Sequence, residues 1–517
     1  MRYKESEESL MKSLAKSVKP LGIAGATSAL CLLTATTVFA HGQPLKATRP
    51  APDTAISTLP SGLPSQSSIV QALQDLPFSA PDIQVPMIPS RPFNIDQFGA
   101  EPNNLSPAAV TANTNAINNA IAAASKAGGG EVVVPPGFYV TGSIVLQSNV
   151  NLHLDRGAYI QFSSNYADYP LIQQFGQTTY QAPIYANGVT NVAITGGGIL
   201  NGSGNIWNPV KEFQLTAEQW NTLVQSGGVV NNQEWYPSTA IEQDPNLIPF
   251  MIFVLNSKNI VIDGPTIENS PSEAMYLNYS SNIVVANVTI DNPWYSVNTV
   301  GINIASDSNV LLDHNSINTG DDDIAINSNP SSQPFTVNHV VIENSTVWNG
   351  HGGVAFGSYT NGGIDDVLVR NMSFNGTEDG IRFKSAVGRG GLVENIYLDN
   401  LQMQNIQDYA FSINADYNNL SPATGSLSSL QDVPQFQNIN VNNLVVDYAG
   451  QAIRIAGLSY APVTNVSFNN VTFMAAQQYS IVNAQNVTMQ NVSYQQATEL
   501  GVVYHYGISG PGPLGNG

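Results

Sequence analysis

The sequence is poor in cysteine and in positive charge. Its one cysteine, Cys31, lies inside an apolar run near the N-terminus, so we expect no disulfide and no cysteine metal site in the rest of the chain. Lys and Arg number 17 against 37 Asp and Glu, which gives a net charge of -20. This balance argues against nucleic acid and against an anionic membrane surface as partners. An anionic ligand would need a local cluster of cations.

Long apolar runs are also scarce. Residues 1–40 combine a basic leader with the run PLGIAGATSALCLLTATTVFA. This pattern predicts a secretory signal peptide, with a retained anchor as the alternative, and no second such run follows. Residues 41–90 are rich in Pro, Ser, Ala and Gln and predict a linker or surface arm. We therefore expect a secreted protein, extracellular or periplasmic, with one folded domain over residues 91–517 and no membrane association after removal of the signal.

A repeat runs through this domain. Each copy begins with Asn, Asp or His, continues with a β-branched or other apolar residue, and then alternates apolar and polar positions. The copies begin at 149, 191, 259, 282, 309, 339, 366, 395, 438, 465 and 486. Short strands at such a fixed period are typical of an all-β parallel solenoid, in which each rung buries its inward face on its neighbours. A β-sandwich with evenly spaced strands is the alternative.

Two segments depart from the repeat. TNAINNAIAAASKAG, from residue 114, has apolar residues at helical spacing and a Gly at its end, which predicts a helix that caps the open end of the solenoid. The longest gap between repeats, 191 to 259, predicts an insertion that forms a loop or short helix on one face and helps to shape a cleft.

The segment NTGDDDIAINS, residues 318–328, places three Asp side by side. Adjacent carboxylates raise one another's pKa, so one group can carry a proton while another accepts one. Glycoside hydrolysis needs this division between an acid and a base. An Asx-turn or a calcium site is the alternative for the Asp triplet alone. We expect Asp323 to turn inward or away from a groove that receives Asp321 and Asp322.

Cations cluster further along the chain. From residue 91 onward there are ten Lys and Arg, and four of them fall within residues 370–389. We expect Arg382 and Lys384 to bind an anion, and Arg370 and Arg389 to be solvated surface. His351 follows Asp321 by 30 residues and precedes Arg382 by 31. If the register holds, all three emerge from one edge of successive rungs, with Asn298 and Thr299 one rung earlier.

Four motifs, in order, resemble those of glycoside hydrolase family 28, the polygalacturonases: NTVGIN at 298, TGDDDIAI at 319, GHGGVAFGS at 350 and IRFKS at 381. The segment GIRFKSAVGRGGLVENIYLDN is most similar to bacterial exo-acting members. The resemblance implies a right-handed parallel β-helix, acting as a monomer without metal or other cofactor. Its partner would be a polysaccharide, pectin or polygalacturonate, whose α-1,4 links between galacturonate units it hydrolyses with inversion.

The resemblance also implies roles for individual residues. Asp321 would be the general acid, Asp322 a base that holds the water, and His351 a support for the acid. Substrate-binding residues would be Arg382 and Lys384, which bind the sugar carboxylate, and Asn298.

One departure from the family pattern bears on activity. The third family carboxylate falls on Val300, and the Asp that often follows is Asn303. Because base assistance is typically worth 10² to 10⁴ in rate, the substitution makes a pectin-binding β-helix of impaired activity an alternative. A second alternative is a pectate or pectin lyase-type β-helix, which would eliminate with Ca²⁺ and an Arg base.

Overall fold

The computed structural model describes residues 62–329, 335–417 and 433–497. Their main strands stack in parallel into three sheets, here called A, B and C, and successive rungs add a strand to each sheet. In sheet A, for example, Val284 pairs with Val261 on one side and with Leu311 on the other. The predicted parallel β-helix is confirmed. The predicted signal peptide, residues 1–40, lies outside the described residues, as do residues 41–61 of the predicted arm and 498–517 of the predicted domain.

The bounds of the strands follow the three stacks. Sheet A contains Pro92–Asn94, Gly130–Val134, Val150–Leu154, Thr190–Thr195, Lys258–Asp263, Ser281–Ala286, Ser308–Asp313 and Val337–Glu343. Sheet B contains Gly137–Thr141, Ala158–Phe162, Ile199–Asn201, Thr266–Glu268, Thr289–Asp291, Ser316–Asn318 and Thr346–Trp348. Sheet C contains Ile144–Val145, Ile184–Asn187, Ile252–Leu255, Met275–Asn278, Ile302–Ala305, Ile324–Ser328, Gly352–Thr360 and Asp379–Lys384.

Later strands bend from one sheet into the next. The long ones are Ile364–Asn375, Ile396–Asn414, Gln435–Ala456, Val463–Val482 and Ala484–Gln496, and the short Leu392–Val393 pairs beside them. The interior between the sheets is apolar and close-packed. Its aromatic residues stack along the axis of the helix, as where the rings of Phe356 and Phe383 lie 4.3 Å apart and nearly parallel.

The first residue of each repeat forms a corner before sheet A. These residues all have left-handed backbone conformation, with φ between 53° and 62°. Asn tolerates this conformation better than most residues, which explains its recurrence. The corner amides also form a ladder: Asn282 Nδ2 donates to Asn259 Oδ1 and Asn309 Nδ2 donates to Asn282 Oδ1, both at 3.0 Å. The repeat that the sequence displays is therefore the repeat of these corners.

A helix, α2 (Pro107–Lys126), covers the N-terminal end of the solenoid as predicted. Ser106 caps it, because its Oγ accepts a hydrogen bond from Ala109 N at 3.2 Å. The face that carries Ile117 and Ile121 is fully buried against the first rungs. The open edge of the first rungs is thereby shielded from solvent.

Residues 62–90 form an arm that lies on the outer face of sheet A. The arm begins with helix α1 (Gln66–Ala72) and continues without regular structure. The sequence suggested few large apolar groups to bury here, yet four of them are buried: Ile69, Leu73, Ile83 and Ile88. They are accommodated because the outer face of sheet A is itself apolar along one line, formed by Ala193, Val261, Val284, Leu311 and Val341.

The insertion before residue 259 is more ordered than predicted. It contains α3 (Ala217–Gln225), α4 (Thr239–Gln243) and an antiparallel sheet of Val210–Lys211, Val229–Asn231 and Glu234–Tyr236. An antiparallel pair, Leu171–Gln174 with Gln177–Tyr180, precedes it. Short 3₁₀ turns occur at Ile95–Phe98, Tyr166–Asp168, Gly204–Ile206, Glu212–Gln214 and Pro245–Leu247. Among all helices of the described residues, none has the length and apolar character to cross a bilayer.

Candidate active site

The three adjacent Asp lie in a bend that leads into the sheet C strand Ile324–Ser328. The bend is held tightly by its neighbours. A Cβ on Gly320 would come within 2.2 Å of the Ser296 carbonyl oxygen, so only glycine fits there. Thr299 Oγ1 accepts a hydrogen bond from Gly320 N at 3.1 Å, and Thr319 Oγ1 donates to Asp321 O at 2.7 Å. The bend, rather than strand alternation, sets the direction of each carboxylate.

Two of the carboxylates face the cleft and one points into the protein. The side chain of Asp321 is 22% exposed, that of Asp322 is 4% exposed, and Asp323 is completely buried. Burial raises the pKa of Asp323 well above its ordinary value, and the nearby charge of Asp322 adds to this. Asp323 is therefore a neutral, inward-facing group, as its position in the chain predicted, and it cannot stand in for the carboxylate missing at Val300.

The cations of the IRFKS motif meet Asp322. Lys384 Nζ lies 2.5 Å from Asp322 Oδ2, and Arg382 Nη1 lies 3.9 Å from Asp322 Oδ1. Burial acts to lower the pKa of Lys384, but the charges of Asp322, Tyr417 and Asp321 together outweigh it and the pKa is raised. Among the residues that the structure describes, Asp322 Oδ1 is buried and has no hydrogen-bond partner. The hydrogen-bonding capacity of this oxygen is therefore not used within the described chain.

His351 contacts the first carboxylate from the adjacent rung. Its backbone N donates to Asp321 O at 3.0 Å, and its Nδ1 lies 3.6 Å from Asp321 Oδ1. Burial acts to raise the pKa of Asp321, but the hydrogen bond and charge of His351 outweigh it and hold that pKa below its ordinary value. The pKa of His351 is raised in turn by Asp321, although burial opposes this. Both shifts favour an ionised Asp321 beside a protonated imidazole.

The predicted register fails for Arg382. The equal spacing suggested that Asp321, His351 and Arg382 occupy equivalent positions, yet Arg382 pairs with Ala355, and it is Glu378 that follows His351 one rung on. The reason is that this rung is only 27 residues long, from Gly352 to its partner Asp379. Arg382 still reaches the acids, because its long side chain folds back and Nη1 donates to His351 O at 3.4 Å.

Sequence reasoning missed two neighbours of the cations. The ring of Tyr417 lies 5.3 Å from Arg382, 5.5 Å from Lys384 and 5.6 Å from Arg389, a cation–π arrangement that fixes these side chains. The expectation that Arg389 is solvated surface is therefore wrong, because its guanidinium packs on the ring of Tyr417. Asp379 Oδ2 lies 3.5 Å from Arg382 Nε, and burial raises the pKa of Asp379 to about 7 although Arg382 opposes the rise.

Only one of these two neighbours, Asp379, lies close to the cations in the sequence. The run EDGIRFK places Asp379 three residues before Arg382, which alternation alone does not bring to the same face. Tyr417 has no such local signal, because it lies in the following rung.

Asn298 stands apart from this cluster. It is exposed, has a left-handed φ of 56°, and lines a cavity of about 240 Å³ with Glu234 and Tyr236 of the insertion and with Pro271. Within the described part of the chain, no hydrogen bond or ion pair joins Asn298 to the acids or the cations. The insertion therefore forms part of the wall of this cavity.

The third family position is occupied differently. Val300 is 8% exposed and carries no polar group. Asn303 Nδ2 donates to Glu273 Oε2 at 2.8 Å, and Asn303 Oδ1 accepts from Asn327 Nδ2 at 3.0 Å. Sequence reasoning missed Glu273 entirely. It lies two rungs before Asp322, and the register of the repeats could have drawn attention to it.

A parallel β-helix that carries paired carboxylates, an imidazole and two cations on one outer face fits an enzyme that acts on an acidic polysaccharide. Residues 130–490 match the family model for glycosyl hydrolases family 28, so the chain belongs to this family. The protein is a pectin-degrading, polygalacturonase-like glycoside hydrolase.

Three relatives illustrate the match. A probable polygalacturonase of Vitis vinifera is 29% identical over 71% of this chain and 72% of its own length. An exo-poly-alpha-D-galacturonosidase of Dickeya chrysanthemi is 26% identical over 78% of this chain and 70% of its length. The crystal structure of a hyperthermoactive exopolygalacturonase from Thermotoga maritima superposes with a TM-score of 0.67 at 25% identity, covering 83% of this chain and 96% of that one. The resemblance to bacterial exo-acting members is thus confirmed.

Proposed function

We propose that this enzyme hydrolyses α-1,4-galacturonosidic bonds of polygalacturonate with inversion of configuration. The observation that carries the proposal is the meeting of Lys384 and Arg382 with Asp322, at 2.5 and 3.9 Å, in a chain that is otherwise strongly acidic. A substrate with a carboxylate on every sugar needs such a local concentration of cations beside the catalytic acids. Neutral sugars would not.

In this proposal Asp321 and His351 act as one proton-carrying unit. The imidazole holds the proton in the free enzyme, 3.6 Å from Asp321 Oδ1. When substrate displaces water, its negative charge raises the proton affinity of Asp321, and the proton passes from Nδ1 to the carboxylate. Asp321 then donates it to the oxygen of the leaving sugar as the glycosidic bond breaks.

Asp322 acts as the base. Lys384 compensates the negative charge of Asp322 through Oδ2, while the unpartnered Oδ1 receives a hydrogen bond from the attacking water. The water attacks from the face of the sugar opposite the leaving group, which inverts the anomeric configuration. Its proton finishes on Asp322.

Arg382 and Lys384 hold the sugar carboxylate. The Arg382 guanidinium is 3.5 Å from Asp379 and 3.9 Å from Asp322, so none of its contacts with protein carboxylates is a short, bidentate pair. Its donors can therefore turn to a substrate carboxylate, and the ring of Tyr417 keeps the guanidinium plane in place.

We also propose that the protein is exported, works as a monomer and removes units from chain ends. The apolar run within residues 1–40 supports export.

The cavity between the insertion and Asn298 supports exo action, because it would bound the row of sugar sites on one side. Exo action predicts that short products of uniform length accumulate from the first minutes, whereas a mixture of long oligomers would indicate internal cutting.

The experiment is digestion of polygalacturonate, followed by proton NMR of the first products. Inverting hydrolysis predicts a saturated reducing end that is initially the β-anomer. An initial α-anomer contradicts inversion. An unsaturated, ultraviolet-absorbing product that disappears with a chelator indicates a lyase, and tight binding without turnover over many hours indicates an impaired binding protein. Polygalacturonate should be compared with rhamnogalacturonan and xylogalacturonan in the same assay.

A further inference from the structure

Three side chains occupy equivalent positions on three successive rungs of sheet C. Met275 pairs with Ile302 and Ile302 with Ile324, so two residues earlier on each rung the register aligns Glu273, Val300 and Asp322. Backbone hydrogen bonds continue this alignment: Ala274 N donates to Val300 O at 2.7 Å, and Gly301 N donates to Asp322 O at 3.0 Å. A carboxylate therefore lies one rung below Val300 as well as one rung above it.

The Glu273 side chain is anchored toward the rung of Val300. Its Oε2 accepts a hydrogen bond from Asn303 Nδ2 at 2.8 Å, and Asn303 belongs to the same rung as Val300. Neighbouring strands are about 4.8 Å apart, and Glu is one methylene longer than Asp, so the Glu273 carboxyl group can reach the level of the missing family carboxylate. Glu273 is half-buried.

We propose that Glu273 supplies the second carboxylate that holds the attacking water, in place of the family carboxylate at position 300. This inference rests on the hydrolysis proposed above. Val300, which lies between Glu273 and Asp322 in the register, is apolar and offers no hydrogen bond to a water. Glu273 lies near enough to the acids and to Lys384 for their charges to act on its pKa, and the buried Asp322 Oδ1 has no hydrogen-bond partner in the described chain.

The chemical step balances with these groups. The water donates one hydrogen to Asp322 Oδ1 and the other to Glu273 Oε1, which leaves a lone pair of its oxygen free for the anomeric carbon. A carbon–oxygen bond to the water forms while the bond to the leaving sugar breaks. The water proton finishes on Asp322, and the leaving oxygen takes the proton of Asp321.

The role predicts a particular pH dependence. Burial raises the pKa of Glu273 to about 8; the charges of Asp321 and Asp322 add to the rise, while Asn303 and Lys384 oppose it. The pKa of Tyr276, on the strand that follows Glu273, is raised chiefly by burial and further by the charge of Glu273. Glu273 accepts a hydrogen bond from water best when ionised, so kcat should rise with pH toward about 8. It should then fall at higher pH, as His351, whose pKa is also raised, loses its proton.

The test compares Glu273→Gln with the wild type and with Glu268→Gln, a matched change in sheet B. We expect Glu273→Gln to lower kcat about 100-fold with little change in KM, because it removes one of two groups on the water. The acid limb of its pH profile should disappear. Val300→Asp added to Glu273→Gln should restore most of kcat, with an acid limb at lower pH than in the wild type. Glu268→Gln should match the wild type.

The outcomes separate this inference from the proposed function. If the wild type releases no reducing ends, the hydrolysis proposal itself is wrong. If the wild type hydrolyses polygalacturonate and Glu273→Gln keeps its kcat and its acid limb, the role of Glu273 is overturned. Should Glu273→Gln fail to fold, Glu273→Asp serves instead, with an acid limb retained and kcat reduced about tenfold if the proposal holds. An unchanged kcat in that variant contradicts it.

Discussion

Two outer faces of the solenoid each bring an arginine to a buried carboxylate, with different results. On sheet A, Arg370 Nε lies 2.6 Å from Glu343 Oε2, and its other nitrogens donate to Ala72 O at 2.8 Å and Gln74 O at 3.2 Å. The arm covers this pair. On sheet C, Arg382 has only the longer carboxylate contacts described above, and among the described residues the buried Asp322 Oδ1 beside it has no hydrogen-bond partner. The first arginine is satisfied by protein, and the second retains binding capacity.

The comparison shows what separates a structural ion pair from a binding site in this fold. Stacked rungs bring charges together on any face, so proximity alone carries little information about function. The informative feature is whether the polar atoms of the cluster are all paired within the protein. On this criterion the ion pair on sheet A, which the arm covers, is structural. The cluster on the outer face of sheet C, here called the cleft face, has unpaired polar atoms that can bind an anionic ligand.

The largest effect should come from Lys384→Ala on the cleft face. The change removes a cation from the substrate carboxylate and leaves Asp322 without its 2.5 Å partner. We expect kcat/KM on polygalacturonate to fall about 10³-fold, or about 4 kcal/mol in transition-state stabilisation. Lys258→Ala, an exposed lysine of sheet A, is the control and should have no effect. A loss in both variants would point to a general effect of charge instead.

His351→Ala should act through protonation. The hydrogen bond and charge of His351 that lower the Asp321 pKa would be lost, while the charge of Lys384 would still lower it. We expect kcat to fall about 100-fold, because the stored proton is missing. In the wild type, activity should decline as pH rises through the His351 pKa, which lies above its ordinary value of 6.5. That alkaline limb should move in the variant, and an identical pH profile would contradict the proton-storage role.

Arg370→Met should affect stability and not catalysis. The change leaves Glu343, with a side chain 4% exposed, without its cation, and removes both donors to the arm. We expect a loss of about 2–4 kcal/mol in the free energy of unfolding, measured with urea, and an unchanged kcat. The double variant Arg370→Met and Glu343→Leu should recover most of that loss. A drop in kcat at a temperature where the variant is folded would contradict the distinction between the two faces.

The smallest effect concerns a corner that belongs to neither face. Asn309→Ala places a side chain that disfavours φ of 55° at a corner and breaks the amide ladder to Asn282. We expect a cost of about 2 kcal/mol in unfolding free energy, with about half of it recovered in Asn309→Gly, which keeps the backbone conformation. Equal losses in the two variants would show that the ladder, and not the backbone, dominates.

Much of this fold is predictable from the sequence because each rung repeats one local requirement. The corner Asn marks a left-handed residue, and the apolar alternation after it marks sheet A. The arm was harder to predict, because its few apolar residues become significant only against the outward-facing line of Val261, Val284 and Leu311. Nothing in residues 62–90 alone indicates that surface.

The candidate site was predictable where the motifs are local and less so where they depend on register. Asp321 and His351 meet as the spacing predicted, but a shortened rung displaces Arg382 by four residues. Glu273 and Tyr417 could not be found from motifs, since each joins the site from another rung. Rung lengths vary, and an error of a few residues in one rung is enough to hide such a neighbour.

Release of reducing ends from polygalacturonate, measured side by side for the wild type, Asp321→Asn and Arg370→Met, tests the central claim most directly. We predict that the wild type and Arg370→Met release reducing ends at the same rate below the unfolding temperature of the variant, and that Asp321→Asn loses at least about 10³-fold. If Asp321→Asn is as active as the wild type, the cleft face of sheet C is not where the glycosidic bond is cut.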